Sequence, residues 1–126
     1  MKLPYRVLIC GARDWGGMSA IERTIKRLKI KAAKWNMELI IIEGGAPGAD
    51  TMARIAGHKL DVHVAEVKAL WDTRHRSAGP QRNTAMLMLD PHLVVAFHRD
   101  ISKSKGTKDM VKQAEKAGIK VQVIKK

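Results

Sequence analysis

The stretch that decides the fold is Met37-Glu38-Leu39-Ile40-Ile41-Ile42-Glu43-Gly44-Gly45-Ala46-Pro47-Gly48-Ala49-Asp50. An apolar, β-branched strand leads into a glycine-rich turn and then into a helical pattern. The glycines allow the backbone to approach a ligand closely, and a helix that begins there directs unpaired N–H groups and its positive dipole end at the turn. The pattern is typical of a phosphate-binding loop, and equally of a tight turn without a ligand.

The size and composition predict one globular domain over residues 1–126, with 45% hydrophobic residues to form its core. The longest apolar runs, 39–42 and 93–97, are too short to cross a bilayer, and residues 1–4 enter a strand without the apolar stretch of a signal peptide. The single cysteine, Cys10, lies in an apolar run and has no disulfide partner. We therefore expect a cytoplasmic protein that does not bind membranes.

The charge of the chain is unusual, with a formal net charge of +12. Such a charge favours polyanionic partners, which are nucleic acid, nucleotides or phosphorylated metabolites. Lysine runs are also typical of solvated helix faces, and 4% aromatic residues are few for a surface that stacks bases. The basic residues form two groups, which are Arg23, Lys26, Arg27, Lys29, Lys31 and Lys34, and Lys103, Lys105, Lys108, Lys112 and Lys116.

Hydrophobic periodicity predicts five strands that alternate with helices. The strands are predicted at 5–10, 38–42, 61–67, 93–97 and 119–124, and the helices at 18–35, 49–59, 80–89 and 107–117. We expect Ser19 to cap the first helix, Trp35, Met86 and Leu89 to face the core, and Gly118 to end the last helix. The irregular stretch 69–79 is predicted to be a binding loop.

The alternation of apolar strands with helices predicts a doubly wound parallel sheet with helices on both faces. Right-handed crossovers then place the loops that follow the strands at one edge, where ligands bind in such sheets. Glycines, arginines and hydroxyls that converge there favour an anionic ligand. The candidate ligand-binding residues in these loops are Gly11, Arg13, Asp14, Trp15, Gly44, Gly45, Gly48, Asp50, Trp71, Gly79, Arg82, Asn83, Ser104, Gly106 and Thr107.

The side chains suggest roles for these candidates. Arg13 and Arg82 carry planar guanidinium groups that suit phosphate oxygens. The segment 104–107 is a second candidate phosphate site at a helix start. Asp50 either accepts from a ribose hydroxyl or caps the second helix, and Asn83 either reads a base or forms structural hydrogen bonds. Trp15 or Trp71 either stacks on a base or lies in the core.

Other site chemistries find little support in the sequence. The five histidines are scattered without a zinc-binding spacing, and no serine lies in a nucleophile-elbow pattern. Gly11-Ala12-Arg13 replaces the three-glycine dinucleotide motif after the first strand, which disfavours NAD. We therefore expect neither a metal nor a cofactor.

Four segments together resemble the SLOG superfamily, in particular its single-domain YspA-like branch from bacteria and phages. They are Gly11-Ala12-Arg13-Asp14-Trp15, the glycine turn 44–50, Ala78-Gly79-Pro80-Gln81-Arg82-Asn83 and Ser104-Lys105-Gly106-Thr107. The resemblance covers nearly the whole chain. It implies a Rossmann-like, three-layer α/β/α fold with a mostly parallel five-stranded sheet, and a pocket for a nucleotide or nucleotide-derived ligand.

Two related families imply different activities. The lonely-guy phosphoribohydrolases, which cleave the N-glycosidic bond of nucleoside monophosphates, carry Pro-Gly-Gly-x-Gly-Thr-x-x-Glu and an upstream arginine. The segment 104–107 is similar to the second half of that motif, and Arg82 matches the arginine. Met110 stands where these enzymes have their catalytic glutamate, which leaves Arg82, Asp109 and Asp50 as candidate catalytic residues.

The DNA-processing protein A family, which binds single-stranded DNA, has similar turns at the positions of 11–13 and 45–50 and an Arg-Asn pair like Arg82-Asn83. Three functions follow from these resemblances. The first is binding of a nucleotide or nucleotide-derived small molecule, for which a sensor is one role. The alternatives are an N-glycosidase for nucleoside monophosphates and a single-stranded nucleic-acid binding protein. The sequence is also compatible with a homo-oligomer.

Overall fold

A computed structural model of the chain describes residues 1–69 and 77–126. Five strands lie in these ranges, and each predicted strand is present. Four α-helices lie in the same ranges, together with one 3₁₀ turn at Ile101–Lys103. The elements in chain order are β1 Leu3–Gly11, α1 Met18–Lys34, β2 Met37–Glu43, α2 Ala49–Lys59, β3 His63–Glu66, α3 Ala78–Leu87, β4 Leu93–Phe97, α4 Gly106–Lys116 and β5 Lys120–Ile124.

The five strands form one sheet in the order β3-β2-β1-β4-β5, and each neighbouring pair is parallel. The central strands are buried on both faces, because helices cover the sheet on both sides. Residues 7–10 of β1 and all of β4 are buried, which accounts for their continuous apolar sequence. The Rossmann-like three-layer α/β/α fold is confirmed.

Two hydrophobic cores lie on the two faces of this sheet, because successive strand side chains point to opposite faces. Val7 and Ile9 pack with α1 and α2 in the larger core. Leu8 and Cys10 pack with α3 and α4 in the smaller core. No helix in residues 1–69 and 77–126 combines the length and the apolarity that are needed to span a bilayer.

Two predicted element ends are wrong because local turns intervene. The third strand spans His63–Glu66 rather than 61–67, since Asp61 has φ 60° and the Val62 amide donates to the Gly57 carbonyl in the turn that ends α2. Ser19 does not cap α1, because the helix begins at Met18 and its N-cap is Gly17.

Two predicted core residues are exposed for similar reasons. Trp35 is 52% exposed because α1 ends at Lys34 and the chain turns at Asn36, which has φ 54°. Leu89 is 44% exposed because α3 ends at Leu87 and Leu89 lies in the following turn. Met86 is buried, as predicted.

The ends of the last two helices also differ slightly from the prediction. α3 begins at Ala78 rather than at Pro80, and α4 spans Gly106–Lys116 rather than 107–117. The early start of α3 takes residues 78 and 79 out of the predicted binding loop. Gly118 follows α4 with φ 76°, the left-handed conformation expected where a helix ends.

Candidate ligand-binding cleft

A cavity lies at the carboxyl edge of the sheet, at the ends of β1 and β4. These strands are neighbours, but the chain leaves β1 towards β2 and leaves β4 towards β5, so the chain order reverses between them. Ligands bind at this switch point in parallel α/β sheets. The cavity has a volume of about 740 Å³, which is in the range of small-molecule sites.

Three helix N-termini face this cleft. Asp50 in the first turn of α2, Gly79 at the start of α3 and Gly106 at the start of α4 all contribute to its wall. Each N-terminus carries a partial positive charge and backbone N–H groups, which favour an anion in front of it. At α2 the Ala49 and Thr51 amides already donate to the Ala12 and Ala46 carbonyls, so the starts of α3 and α4 are the anion-attracting elements of the cleft.

Charged side chains of both signs line the cleft. Arg13 and Lys105 contribute positive charge beside Arg82, while Asp14 and Asp109 add carboxylates to that of Asp50. A cleft with cationic groups at helix N-termini and carboxylates between them can hold an anionic ligand that also carries hydroxyl donors.

The glycine turn does not present its amides to the cleft. The Gly44 and Ala46 amides donate to Asp50 Oδ2 at 3.1 and 3.3 Å, and the Gly45 amide donates to Glu43 Oε1 at 2.6 Å. These three amides are therefore already hydrogen-bonded within the protein. Of the turn residues 44–48, Ala46 borders the cleft, whereas Gly44, Gly45 and Gly48 do not.

Gly48 serves the fold through close packing. It has φ 81°, and a Cβ atom there would collide with the Ala12 and Arg13 carbonyl oxygens. The Ala49 amide donates to the Ala12 carbonyl at 3.1 Å, which joins the start of α2 to the loop after β1. This contact places Arg13 at the rim of the cleft.

The two carboxyls behind the turn have raised pKa values. Burial raises the pKa of Asp50 to about 6, against the opposing effects of the Ala46 amide and the Arg82 charge. Burial likewise raises the pKa of Glu43 to about 7, although the Gly45 amide lowers it. Glu43 Oε2 lies 3.9 Å from Arg54 Nε and accepts no hydrogen bond within the described part of the chain.

Arg82 connects the glycine turn to the cleft. Its Nη1 donates to the Gly44 carbonyl at 2.8 Å, and its Nε is buried without a hydrogen-bond partner among residues 1–69 and 77–126. Together with Arg13 and Ala46, Arg82 lines both the cleft and a smaller cavity of about 240 Å³ beside Glu66. Its guanidinium group therefore lies between two cavities.

Asn83 joins α3 to α4. Its Nδ2 donates to the Gly106 carbonyl at 3.1 Å and to Asp109 Oδ2 at 2.8 Å. Gln113 Nε2 donates to the same Asp109 oxygen at 2.8 Å. Asn83 therefore forms structural hydrogen bonds with α4 in a network that includes Asp109, and both residues also line the cleft.

The start of α4 is fixed by Ser104, whose Oγ accepts a hydrogen bond from the Thr107 amide at 3.0 Å. Thr107 is buried, and Gly106 is exposed with open space beside its Cα. Met110, at the position of the lonely-guy glutamate, is fully buried in the smaller core although it also borders the cleft.

The tryptophan candidates differ in their positions. Trp15 lies in the larger core with 6% of its surface exposed, donates through Nε1 to the Gly17 carbonyl and packs against Phe97 at 5.5 Å between ring centroids. Of its two predicted roles, the core position is the one observed. Trp71 lies outside the described residues, as does most of the predicted binding loop 69–79.

Sequence reasoning missed several residues that border the cleft, namely Cys10, Met86, His98 and Lys105. His98 directly follows β4 and so lies at the predicted edge, and this position was the signal that could have identified it. Its Nδ1 accepts from the Asp100 amide at 3.0 Å, so a neutral His98 carries its proton on Nε2. Within the described ranges, no group of three potential ligands for a metal ion was found.

The family assignment agrees with this fold and cleft. Residues 5–75 match the model of the YspA, cpYpsA-related SLOG family, and the chain belongs to that family. It is 30% identical over 125 residues to the Gene 61 protein of Mycobacterium phage D29, an alignment that covers 92% of this chain and 93% of the phage protein.

A solved structure shares the fold. DNA processing protein A (DprA) from Streptococcus pneumoniae superimposes with a TM-score of 0.75 at 18% sequence identity. The match covers 96% of this chain and 50% of the DprA chain, so this chain spans about half the length of DprA.

Proposed function

We propose that the protein binds a nucleotide or nucleotide-derived small molecule in the cleft between β1 and β4. The observation that carries the proposal is the convergence of the N-termini of α3 and α4 with Arg13 and Arg82 on one cavity at the switch point of the sheet. Membership of the SLOG family supports nucleotide-related or nucleic-acid binding at a general level.

In this proposal the two arginines and the start of α4 hold phosphate, and carboxylates hold the sugar. Arg13 is exposed at the rim and Arg82 is half-buried behind it, so a phosphate between them receives charge-assisted hydrogen bonds. Asp14 is exposed on the same loop and offers acceptor oxygens to ribose hydroxyls. The glycine turn positions α2 and Arg82 rather than holding the phosphate itself.

The test is isothermal titration calorimetry with nucleoside mono- and diphosphates and ADP-ribose at two salt concentrations. We expect one compound class to bind, and Arg13→Ala to weaken that binding at least tenfold, since hydrogen bonds to charged groups contribute about 1.5–3 kcal/mol. Arg23→Ala is the matched control, because Arg23 is exposed on α1 and lies outside the cleft wall.

Arg82→Ala should have an effect at least as large as that of Arg13→Ala. Because Arg82 also holds the Gly44 carbonyl, its variant requires a melting curve beside the titration. The proposal is rejected if no compound in the panel binds, or if Arg13→Ala and Arg23→Ala bind equally well.

A second candidate function is hydrolysis of the N-glycosidic bond of nucleoside monophosphates. Asp50 favours it, because this carboxyl lies in the cleft wall and has its pKa raised to about 6, close to the value suited to general acid–base catalysis near neutral pH. Asp109 also lies in the cleft wall, and each of the two carboxyls has one oxygen that already accepts two hydrogen bonds.

Chromatographic detection of free base after incubation of each nucleoside monophosphate with concentrated protein tests this candidate. Release that is abolished in Asp50→Asn and retained in Asp109→Asn would support it. An absence of base release from every nucleotide, under conditions in which calorimetry detects binding, would leave binding as the function.

A further inference from the structure

The outer face of α1 carries a stripe of exposed basic side chains. Four basic residues and one apolar residue are exposed at spacings of three or four along the helix, so they share one side of it: Arg23, Lys26, Arg27, Ile30 and Lys34. The opposite side of α1 is buried against the sheet. The buried residues of α1 are Ala20, Ile21, Thr24, Ile25, Leu28 and Ala32.

The charge of this stripe is not neutralised within the described part of the chain. The ion pairs found there are Arg6–Asp90, Arg54–Glu43, Lys59–Glu22 and His63–Glu38, and none involves a basic residue of α1. The acidic residue of α1, Glu22, is engaged by Lys59 of α2 at 3.0 Å. A strong positive potential therefore extends outward from this face.

A second row of side chains leads from the stripe to an exposed aromatic ring. Arg27, Lys31 and Trp35 follow one another at intervals of four residues, and Lys31 Nζ lies 5.0 Å from the centroid of the Trp35 ring. The Tyr5 ring contacts Trp35 edge-on at 5.5 Å between centroids, which fixes the indole while 52% of Trp35 remains exposed.

We propose that this face of α1, together with Trp35, binds single-stranded nucleic acid. Phosphates lie along the basic residues, and one base stacks on the Trp35 indole, the combination that single-strand binding proteins use. From Arg23 to Lys34 the helix rises about 16 Å, at ~1.5 Å per residue. That length matches about five nucleotides of a stacked strand at ~3.4 Å each.

The distribution of apolar residues on this face favours a nucleic acid over a membrane as its partner. A helix that lies on a bilayer inserts a continuous apolar side. On α1 that side is buried in the core, and the outward apolar residues, Ile30 and Trp35, are separated by charges. A flat lipid surface would therefore contact charges with little insertion, whereas a flexible strand can follow the stripe and reach the indole.

This surface is separate from the cleft. Trp35 lies two residues before the start of β2 and so at the amino edge of the sheet, whereas the cleft lies at the carboxyl edge. The seven residues of β2 place these edges about 20 Å apart, at ~3.3 Å per residue. Strand binding on α1 and ligand binding in the cleft can therefore be tested independently.

The experiment is fluorescence anisotropy of a labelled ten-nucleotide oligothymidylate between 50 and 300 mM salt. Arg27→Ala/Lys31→Ala removes two charges from the proposed surface, and Lys108→Ala/Lys112→Ala removes two exposed charges from α4 on the other face of the sheet. We expect the α1 pair to weaken binding about tenfold and to make the slope of log affinity against log salt shallower by about 1.4, which is ~0.7 for each lost phosphate contact. The α4 pair should change affinity less than threefold.

Substitution of Trp35 distinguishes base stacking from a general charge effect, because it leaves the charge of the protein unchanged. Trp35→Ala should weaken binding about tenfold at constant charge, and Trp35→Phe should retain most of the affinity because it keeps a stacking ring. Thermal melts check that each variant folds. If Arg27→Ala/Lys31→Ala does not fold, Arg23→Ala/Lys26→Ala replaces it as the α1 pair.

Several results would overturn the proposal. They are no binding of the oligonucleotide at 50 mM salt, equal losses in the α1 and α4 pairs, no effect of Trp35→Ala, and competition by polyglutamate of matched charge as effective as that by unlabelled oligonucleotide. The last result would assign the face to an acidic protein. Binding of oligonucleotide with each of the expected losses would establish the surface.

Discussion

At the scale of single residues, two carboxylates accept the hydrogen bonds of the glycine turn. A turn of this sequence typically offers free amides to a phosphate, but here the amides of residues 44–46 donate to Asp50 and Glu43. The protein therefore supplies its own anions to this turn. The cost is the burial of two carboxyls beside each other, which their raised pKa values report.

These pKa values predict a pH-dependent stability. Because the folded-state pKa of Glu43 is raised from 4.5 to about 7, the folded protein binds more protons than the unfolded chain between these values. The contribution of Glu43 is therefore complete below about pH 4.5 and is lost as the pH rises through 7. Glu43→Gln should raise the free energy of unfolding by about 1–2 kcal/mol at pH 8 and leave it nearly unchanged at pH 5.

Urea denaturation at both pH values provides the measurement for Glu43→Gln. Glutamine retains an oxygen that can accept from the Gly45 amide, so the variant removes mainly the buried charge. Glu115→Gln serves as the control, because Glu115 is exposed on α4. A Glu43→Gln variant that is equally destabilised at pH 5 and pH 8 would contradict the prediction.

Gly48 and Gly118 illustrate two different reasons why a position requires glycine. Both have positive φ, but a Cβ at Gly48 collides with backbone carbonyls, whereas a Cβ at Gly118 meets open space. Gly118→Ala should cost about 1–2 kcal/mol, the strain of a left-handed residue. Gly48→Ala should cost more than 3 kcal/mol, because the start of α2 must move away from the loop after β1.

Equilibrium urea unfolding of the two glycine variants measures these costs. Similar losses in both would mean that the loop after β1 shifts freely, and would weaken the case that Gly48 fixes the rim of the cleft. A much larger loss in Gly48→Ala, accompanied by weaker ligand binding, would link this packing contact to the position of Arg13.

At the scale of elements, helix capping shows where local sequence rules hold. Ser104 and Ser19 both lie close to the start of a helix, but they differ in whether they cap it. The Ser104 hydroxyl accepts from the Thr107 amide, whereas Ser19 lies inside the first turn of α1 after its N-cap, Gly17. The sequence could not distinguish them, because a helix can begin one or two residues away from the best capping residue.

Substitution of each serine by alanine tests this distinction. Ser104→Ala should lower the free energy of unfolding by about 1 kcal/mol through loss of the hydrogen bond to the α4 amide. Ser19→Ala should have no measurable effect, or a slight gain from the higher helix propensity of alanine. Thermal unfolding of both variants decides the matter, and an equal loss in both would show that Ser19 also stabilises its helix end.

The sequence predicted element boundaries correctly where the hydrophobic pattern ended sharply. The predicted limits of α2 and β4 agree with the structure. The predictions for β3, Trp35 and Leu89 were wrong at turns, where residues 36, 61 and 90 adopt positive φ without being glycine. Left-handed Asn and Asp residues end these elements, and their composition alone does not reveal which of them will adopt that conformation.

At the scale of the whole molecule, the single cysteine reports on opening of the fold. Cys10 lies in β1 at the base of the cleft, is 7% exposed, and burial raises the pKa of its thiol. The thiolate is the reactive form, so native Cys10 should react with Ellman's reagent at pH 8 at least ~100-fold more slowly than the urea-unfolded chain.

Because the chain has one cysteine, the absorbance change on labelling reports Cys10 alone. A ligand bound in the cleft should slow the reaction further, by stabilising the closed state and by covering the route to the thiol. Rapid stoichiometric labelling of the native protein would show that the cleft opens deeply, contrary to the close packing of β1 described above.

The sequence by itself determined the order of elements, the parallel sheet and the edge at which the cleft lies, because apolar periodicity and right-handed crossovers depend on local pattern and chain chirality. It also identified ten of the residues that line the cleft: Gly11, Arg13, Asp14, Asp50, Gly79, Arg82, Asn83, Ser104, Gly106 and Thr107.

Only the tertiary structure decided which contacts individual side chains make. Hydrogen bonds between residues distant in sequence assign Asn83 to the α3–α4 contact and the turn amides to carboxylates, and core packing assigns Trp15 to the interior and leaves Trp35 at the surface. A side chain's role depends on which partners the fold brings within hydrogen-bonding distance, and that is a property of three-dimensional proximity that no local pattern encodes.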